Sequence, residues 1–169
     1  MHIFSERYRI FEYAVTTASP CAVDLGPLGV GVWNSFQDCL LVTVNVDPGD
    51  LALTDMAVQV VRCVAAETDA AHIVVHGFAR LPRPSERYVT PIGFDILSEI
   101  ADALNVLTEF TERLRGNGER VHLIPFGWNK NCRIEAFERP EVQRAVTLSA
   151  AASRIRPGSD VHGRDHVIF

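Results

Sequence analysis

Cys39-Leu40-Leu41-Val42-Thr43-Val44-Asn45-Val46 is a nearly continuous apolar run, the pattern of a strand covered on both faces. Asp47-Pro48-Gly49-Asp50 follows it with turn chemistry. From Leu53, the residues Leu53, Met56, Ala57, Val60, Val61 and Val64 recur at helical spacing. His72 to Phe78 then returns as a β-branched strand. Cys39 to Phe78 therefore reads as a βαβ unit with a parallel strand pair, which puts the chain in the α/β class.

Outward from this unit, His2-Phe4 and Arg9-Val15 read as short strands, and Gly29-Phe36 precedes Asp38-Val46 as another. Downstream, Leu81 to Pro91 holds three prolines and reads as an exposed connection. Leu97, Ile100, Ala101, Leu104, Leu107, Thr111 and Leu114 repeat on one face of a second helix, which Gly116-Asn117-Gly118 stops. Asp95, near its start, complements the helix dipole without any ligand. Val121 to Phe126 and Cys132 to Phe137 read as strands flanking Gly127-Lys130. Proline at a first turn opens a third helix over Pro140 to Ala151. The expectation is a mixed sheet with about three helices in one domain, 1–151, followed by a tail or capping segment, 152–169.

With 169 residues, 47% of them hydrophobic, the chain is long enough to bury a core, and its formal charge of −5 excludes a broad basic face. A nucleic-acid partner would be gripped locally. No run approaches the roughly 20 apolar residues of a membrane span, and Met1 to Arg9 lacks a signal-peptide pattern, so the chain reads as cytoplasmic. Cys21, Cys39, Cys63 and Cys132 form no Cys-x-x-Cys pair and read as buried free thiols. His72 with His76 and His162 with His166 share a His-x-x-x-His spacing. The first pair brackets Ile73-Val74-Val75, and on a strand its members lie about 13 Å apart, too far to share an ion. No metal or cofactor is called for.

Pro125-Phe126-Gly127-Trp128-Asn129-Lys130 carries the most pointed chemical signal. Lys130 is the sole lysine, and the other fifteen cationic side chains are arginine. An ammonium changes protonation state when desolvated, whereas a guanidinium does not. Among the lysine and arginine side chains, Lys130 is thus the one suited to proton chemistry. Arg80, at the end of the strand bearing His76, presents a planar fork for an anion or for a surface salt bridge.

Phe11-Glu12-Tyr13, Val75-His76-Gly77-Phe78-Ala79, Phe94-Asp95-Ile96-Leu97 and Pro125-Phe126-Gly127, taken in order, resemble the editing domain of archaeal threonyl-tRNA synthetases. That domain shares its fold with D-aminoacyl-tRNA deacylases. The resemblance spans roughly Met1 to Leu148. It implies a three-layer deacylase-like fold in a free-standing protein, a homodimer, and hydrolysis of a mischarged amino acid, serine in the family, from the tRNA 3′ end. Lys130 falls on the family's functional lysine. Strand-end groups of His76, Gly77, Phe78 and Ala79 would cradle the amino acid. Asn129 and Trp128 read as pocket walls, an amide with donor and acceptor and an indole face for the terminal adenine, although Trp128 reads equally well as core.

Three positions depart from the pattern: Arg80 stands for a histidine, Asn129 for a tyrosine and Gln143 for a glutamate. Arg80 cannot accept a proton, and Gln143 lacks the charge that would orient an ammonium. If Arg80 and Lys130 face one cleft, they would hold an anion, either the terminal phosphodiester of tRNA or a small carboxylated metabolite. The alternative expectation is accordingly a diverged domain that binds or transforms a small anionic ligand without editing.

Overall fold

A computed structural model describes residues 1–26, 29–80, 95–137 and 143–149. The chain begins with two long antiparallel strands, β1 (His2–Ala18) and β2 (Trp33–Val46). A 3-10 turn at Asp50–Leu53 leads into helix α1 (Thr54–Thr68), and β3 (His72–Ala79) then pairs parallel to β2. The βαβ reading is borne out. Helix α2 (Ile96–Gly116) starts on Asp95, whose carboxylate accepts from the Leu97 amide, so the residue read as a dipole complement also caps the helix. Strands β4 (Val121–Leu123), β5 (Trp128–Ala136) and β6 (Arg144–Thr147) complete a mixed sheet ordered β4-β3-β2-β1-β5, with β6 also on β1. This is an α/β fold. Among the described residues, no helix is long and apolar enough to cross a membrane.

Several boundaries differ from the sequence reading. The two short strands expected in the first fifteen residues are one strand, as are the two expected between Gly29 and Val46. The Gly127-Lys130 segment is not a connector, because β5 begins at Trp128 and carries Lys130 within it. Where a third helix was expected, Arg144–Thr147 is a strand. There β1 pairs with β5 only from Tyr8 onward, so the edge at residues 2–5 is open to β6, and sheet pairing overrides local helical preference. Residues 81–94, which include the Pro-rich connection, and the 152–169 segment lie outside the described residues.

One face of the sheet packs against both helices. Leu40, Val42, Val44 and Val46 of β2 join Ile73 and Val75 of β3, and meet Val58 and Val61 of α1 and Leu107, Phe110 and Leu114 of α2. The opposite face has its own core: Phe11, Tyr13, Val15, Cys39, Val74 and Ile124, with Tyr8, Phe36, Leu41 and Trp128 against it. In β1, Tyr8 and Phe11 both enter this second core, and in β2 so do Phe36 and Cys39. Strict alternation would forbid both pairs. Inside and outside therefore exchange at the step between them, where Asp38 adopts φ 49° and its carboxylate accepts from Arg7 Nε at 2.7 Å. The β1–β2 ribbon bends here, and its outer half, with β5 attached, folds back over the helix-free face. Tyr13 and Phe36 from that half reach His122 of β4, the strand at the other edge of the sheet, with ring centroids 5.7 and 4.8 Å away.

Gly77 sets how closely α2 approaches β3. A Cβ built there would lie 2.2 Å from Leu107 Cδ1 and 2.5 Å from Cδ2, and Leu107 is itself buried. Overpacking of this kind costs about 1–3 kcal/mol. Gly77→Ala is expected to lower unfolding stability by that amount in urea titrations. In a Leu107→Ala background, the same change should cost at least about 1 kcal/mol less, a coupling read from a double-mutant cycle.

Candidate functional site

The route to Lys130 is fixed by Gly127. Its φ is 76°, and a Cβ there would fall 2.6 Å from Ala22 Cα and 2.8 Å from the Cys21 carbonyl oxygen. Only glycine suits both the dihedral and the approach. Ser19 N donates to the Gly127 carbonyl at 2.9 Å, Val23 N donates to Phe126 O at 3.1 Å, and the Trp128 indole N–H donates to Val23 O at 2.8 Å. Residues 19–23 thus clamp the start of β5. Lys130 then pairs with Val15 of β1, a second-core position, so its side chain shares the inner side of the fold-over.

There it meets β3. Lys130 Nζ lies 2.6 Å from His76 Nε2 and 3.4 Å from the Trp128 carbonyl oxygen, and 5.9 Å from the centre of the Phe78 ring. The contact depends on the bend. Three strand spacings separate β5 from β3 in the sheet, and the β1 residue in line with His76 is Phe4, eleven positions from Val15. A straight ribbon would hold Phe4 and Val15 about 36 Å apart. Burial lowers the pKa of the Lys130 ammonium, with Cys132 opposing the shift, and burial together with the Lys130 charge brings His76 down to about 3. At neutral pH, then, the pair is an ammonium donating to a neutral imidazole.

The other sequence-predicted residues distribute around this pair unevenly. Phe78 packs against His76 with ring centroids 4.1 Å apart and planes tilted by 53°, and is 40% exposed. Gly77 and Ala79 face the helices, but their backbone edge bears on the site. The odd residues of β3 bond toward β4, as Ile73 N does to Arg120 O, and this ladder ends where Ile124 N reaches Val75 O. Beyond Val75, no strand pairs with that edge among the described residues. Trp128 is a structural anchor that lends its carbonyl. Asn129 is exposed and alternates to the other side of β5. Gln143 bonds Glu6 at 2.6 Å.

Arg80 is placed apart from the pair. It is 60% exposed, with Nη1 2.9 Å from His2 Nε2 and 3.8 Å from Asp47. It lines a cleft of about 270 Å³ with Asp47, Glu99, Asp102, Ala79 and Val106, at the carboxyl ends of β2 and β3, and Lys130 does not line that cleft. Three carboxylates beside one guanidinium make it a poor anion site. Two residues near the Lys130 pair escaped the sequence reading. Register sets Thr43 beside His76 and Asn45 beside Phe78, both half-buried. Their signal was the alternation Val42, Thr43, Val44, Asn45, Val46 inside a run that looked apolar on both faces. All four cysteines are free, although only Cys39 is fully buried. No group of three or more His, Cys, Asp and Glu among the described residues is arranged to hold a metal ion.

The chain is similar to the threonine–tRNA ligase of Thermofilum pendens, at 29% identity over 127 residues, or 73% of this chain and 19% of the ligase. It is also similar to the threonine–tRNA ligase of Methanopyrus kandleri, at 31% identity over 121 residues, or 68% of this chain and 18% of the ligase. The chain therefore spans about a fifth of the length of these relatives. No protein-family model matches it.

The pair leaves a mark on stability. His76 and His122 are both lowered in the folded state, by burial first and then by Lys130 and Arg115 respectively. An unfolded chain binds protons that the folded one refuses, so their contribution is complete above about pH 6.5 and is lost as pH falls. Unfolding free energies from urea titrations run downward from about pH 7 should decline by up to about 1.4 kcal/mol per pH unit for each histidine, and His76→Leu should remove its share of that slope.

Proposed function

We propose that the protein hydrolyses the ester joining a mischarged amino acid to the terminal ribose of tRNA, with a Ser-tRNA(Thr)-like substrate. The observation that carries this reading is Lys130, a half-buried ammonium held on the inner side of the fold-over by a neutral histidine. It lies within the stretch whose motifs resemble the synthetase editing domain, and similarity to two threonine–tRNA ligases supports the same family.

Ester hydrolysis builds negative charge first on the carbonyl oxygen and then on the departing ribose oxygen. Lys130 stabilises that charge, and its lowered pKa makes it a more willing proton donor to the leaving alkoxide. The backbone edge of β3 at Gly77 and Ala79, unpaired among the described residues, offers donors and acceptors for the amino acid. Backbone recognition of this sort leaves little trace in side-chain identity. The partner is the aminoacylated 3′ end, and a cytoplasmic homodimer is the form in which the protein works. This reading gives Arg80 no chemical step, since His2 and Asp47 already engage it. A small anionic metabolite at Arg80 is disfavoured by the acidic lining of its cleft.

Seryl-, alanyl- and threonyl-tRNA supplied separately should reveal ester loss on at least one. Lys130→Ala should slow it by roughly 10²- to 10³-fold, the scale of losing one oxyanion donor, while Arg80→Ala stays close to wild type. If none of the three esters is cleaved, the proposal fails.

A further inference from the structure

Lys130 carries three N–H donors. One is taken by His76 Nε2 at 2.6 Å and a second by the distant Trp128 carbonyl at 3.4 Å. The third has no partner among the described residues, and no carboxylate pairs with the ammonium there. His76, in contrast, is firmly seated: it lies within β3 beside Thr43, with its ring packed on Phe78. A long, flexible side chain thus ends on a short, fixed one.

We propose that His76 is the positioning residue of Lys130, accepting one ammonium proton at a bare Nε2 and carrying its own proton on Nδ1, so that the remaining N–H is presented to the ligand. Its catalytic consequence rests on the deacylase reading, whereas the proton placement stands without it. The competing role, His76 as general base, conflicts with the geometry, because its one lone pair is already spent on Lys130. Its pKa of about 3 also makes it too weak a base near neutrality. Cys132, the next residue on the same side of β5, adds no charge, since burial raises its thiol pKa. His72 is the other titratable group on this side of β3, and it packs against Phe36 at 6.2 Å instead.

A chain with one lysine yields one side-chain ammonium signal, which makes the test direct. Nitrogen-15 NMR of the wild-type imidazoles should show His76 neutral and protonated at Nδ1 from about pH 8 to about pH 5. The Lys130 ammonium protons should be protected from exchange in wild type, unprotected in His76→Leu and partly protected in His76→Gln, which keeps an acceptor. On whichever aminoacyl-tRNA the wild type hydrolyses, His76→Leu should lower kcat roughly 10- to 100-fold with KM little changed, and His76→Gln should recover part of the loss. Normal titration of His76 near about 6.5, or a proton on Nε2, overturns the placement, and neither measurement needs a variant to fold. An active enzyme whose kcat ignores His76→Leu overturns the positioning role. The predicted tautomer in a protein that cleaves no aminoacyl ester upholds the placement and sinks the deacylase reading instead.

Discussion

The bend at Arg9 and Asp38 is the constraint from which the rest of the structure follows. A two-stranded ribbon of this length, left straight, would carry Phe11, Tyr13, Val15 and Phe36 into solvent beyond the edge of the sheet. Apolar surface of that extent is worth several kcal/mol when covered, so the ribbon folds back and the helix-free face acquires a second core. Asp38 supplies the left-handed residue the bend needs, and Arg7 holds its carboxylate. Aspartate tolerates that backbone region better than most residues, because its short polar side chain bonds locally. The same fold-over brings β5 above β3, and with it Lys130 above His76.

How much of this was legible depends on the range of the interaction that decides it. The βαβ unit is local: the run at Leu40 to Val46, the helical spacing from Leu53 and the strand from His72 announce themselves, and the parallel pairing follows from connection length. The Asp95 cap is local too. The bend is not, because nothing in Arg9 or Asp38 distinguishes a ribbon that reverses its faces from two separate short strands. Arg144–Thr147 failed for the same reason. Its alanine-rich neighbourhood and Pro140 suggest a helix, and only the open edge of β1 makes a strand the better state.

The site was legible as a list more than as an arrangement. Lys130 stood out by being alone, and His76 and Phe78 by sitting at a strand end. That Arg80 would turn to His2 and Asp47 could not be read, because a residue just past a strand end is not bound by alternation. Thr43 and Asn45 were hidden differently. Two polar residues in an apolar run look like tolerated exceptions until the neighbouring strand shows that both fall on one side, next to the histidine and the phenylalanine.

A half-buried ammonium with no carboxylate partner among the described residues is a costly thing to keep. Desolvation penalises its charge, a neutral imidazole offsets only part of that penalty, and the same charge holds the imidazole neutral. A leucine in place of Lys130 would pack with the second core and remove both terms. Arginine, used at every other basic position, would keep the charge but could not give up a proton, and its planar fork would not end on a single lone pair. The arrangement is therefore poor as a stabilising device and coherent as a chemical one: one mobile proton, one acceptor fixed by its strand, and one donor left over. An ion pair with Asp or Glu would have stabilised Lys130 more, and for that reason would have raised its pKa and occupied the donor that the proposed hydrolysis would offer to a developing oxyanion.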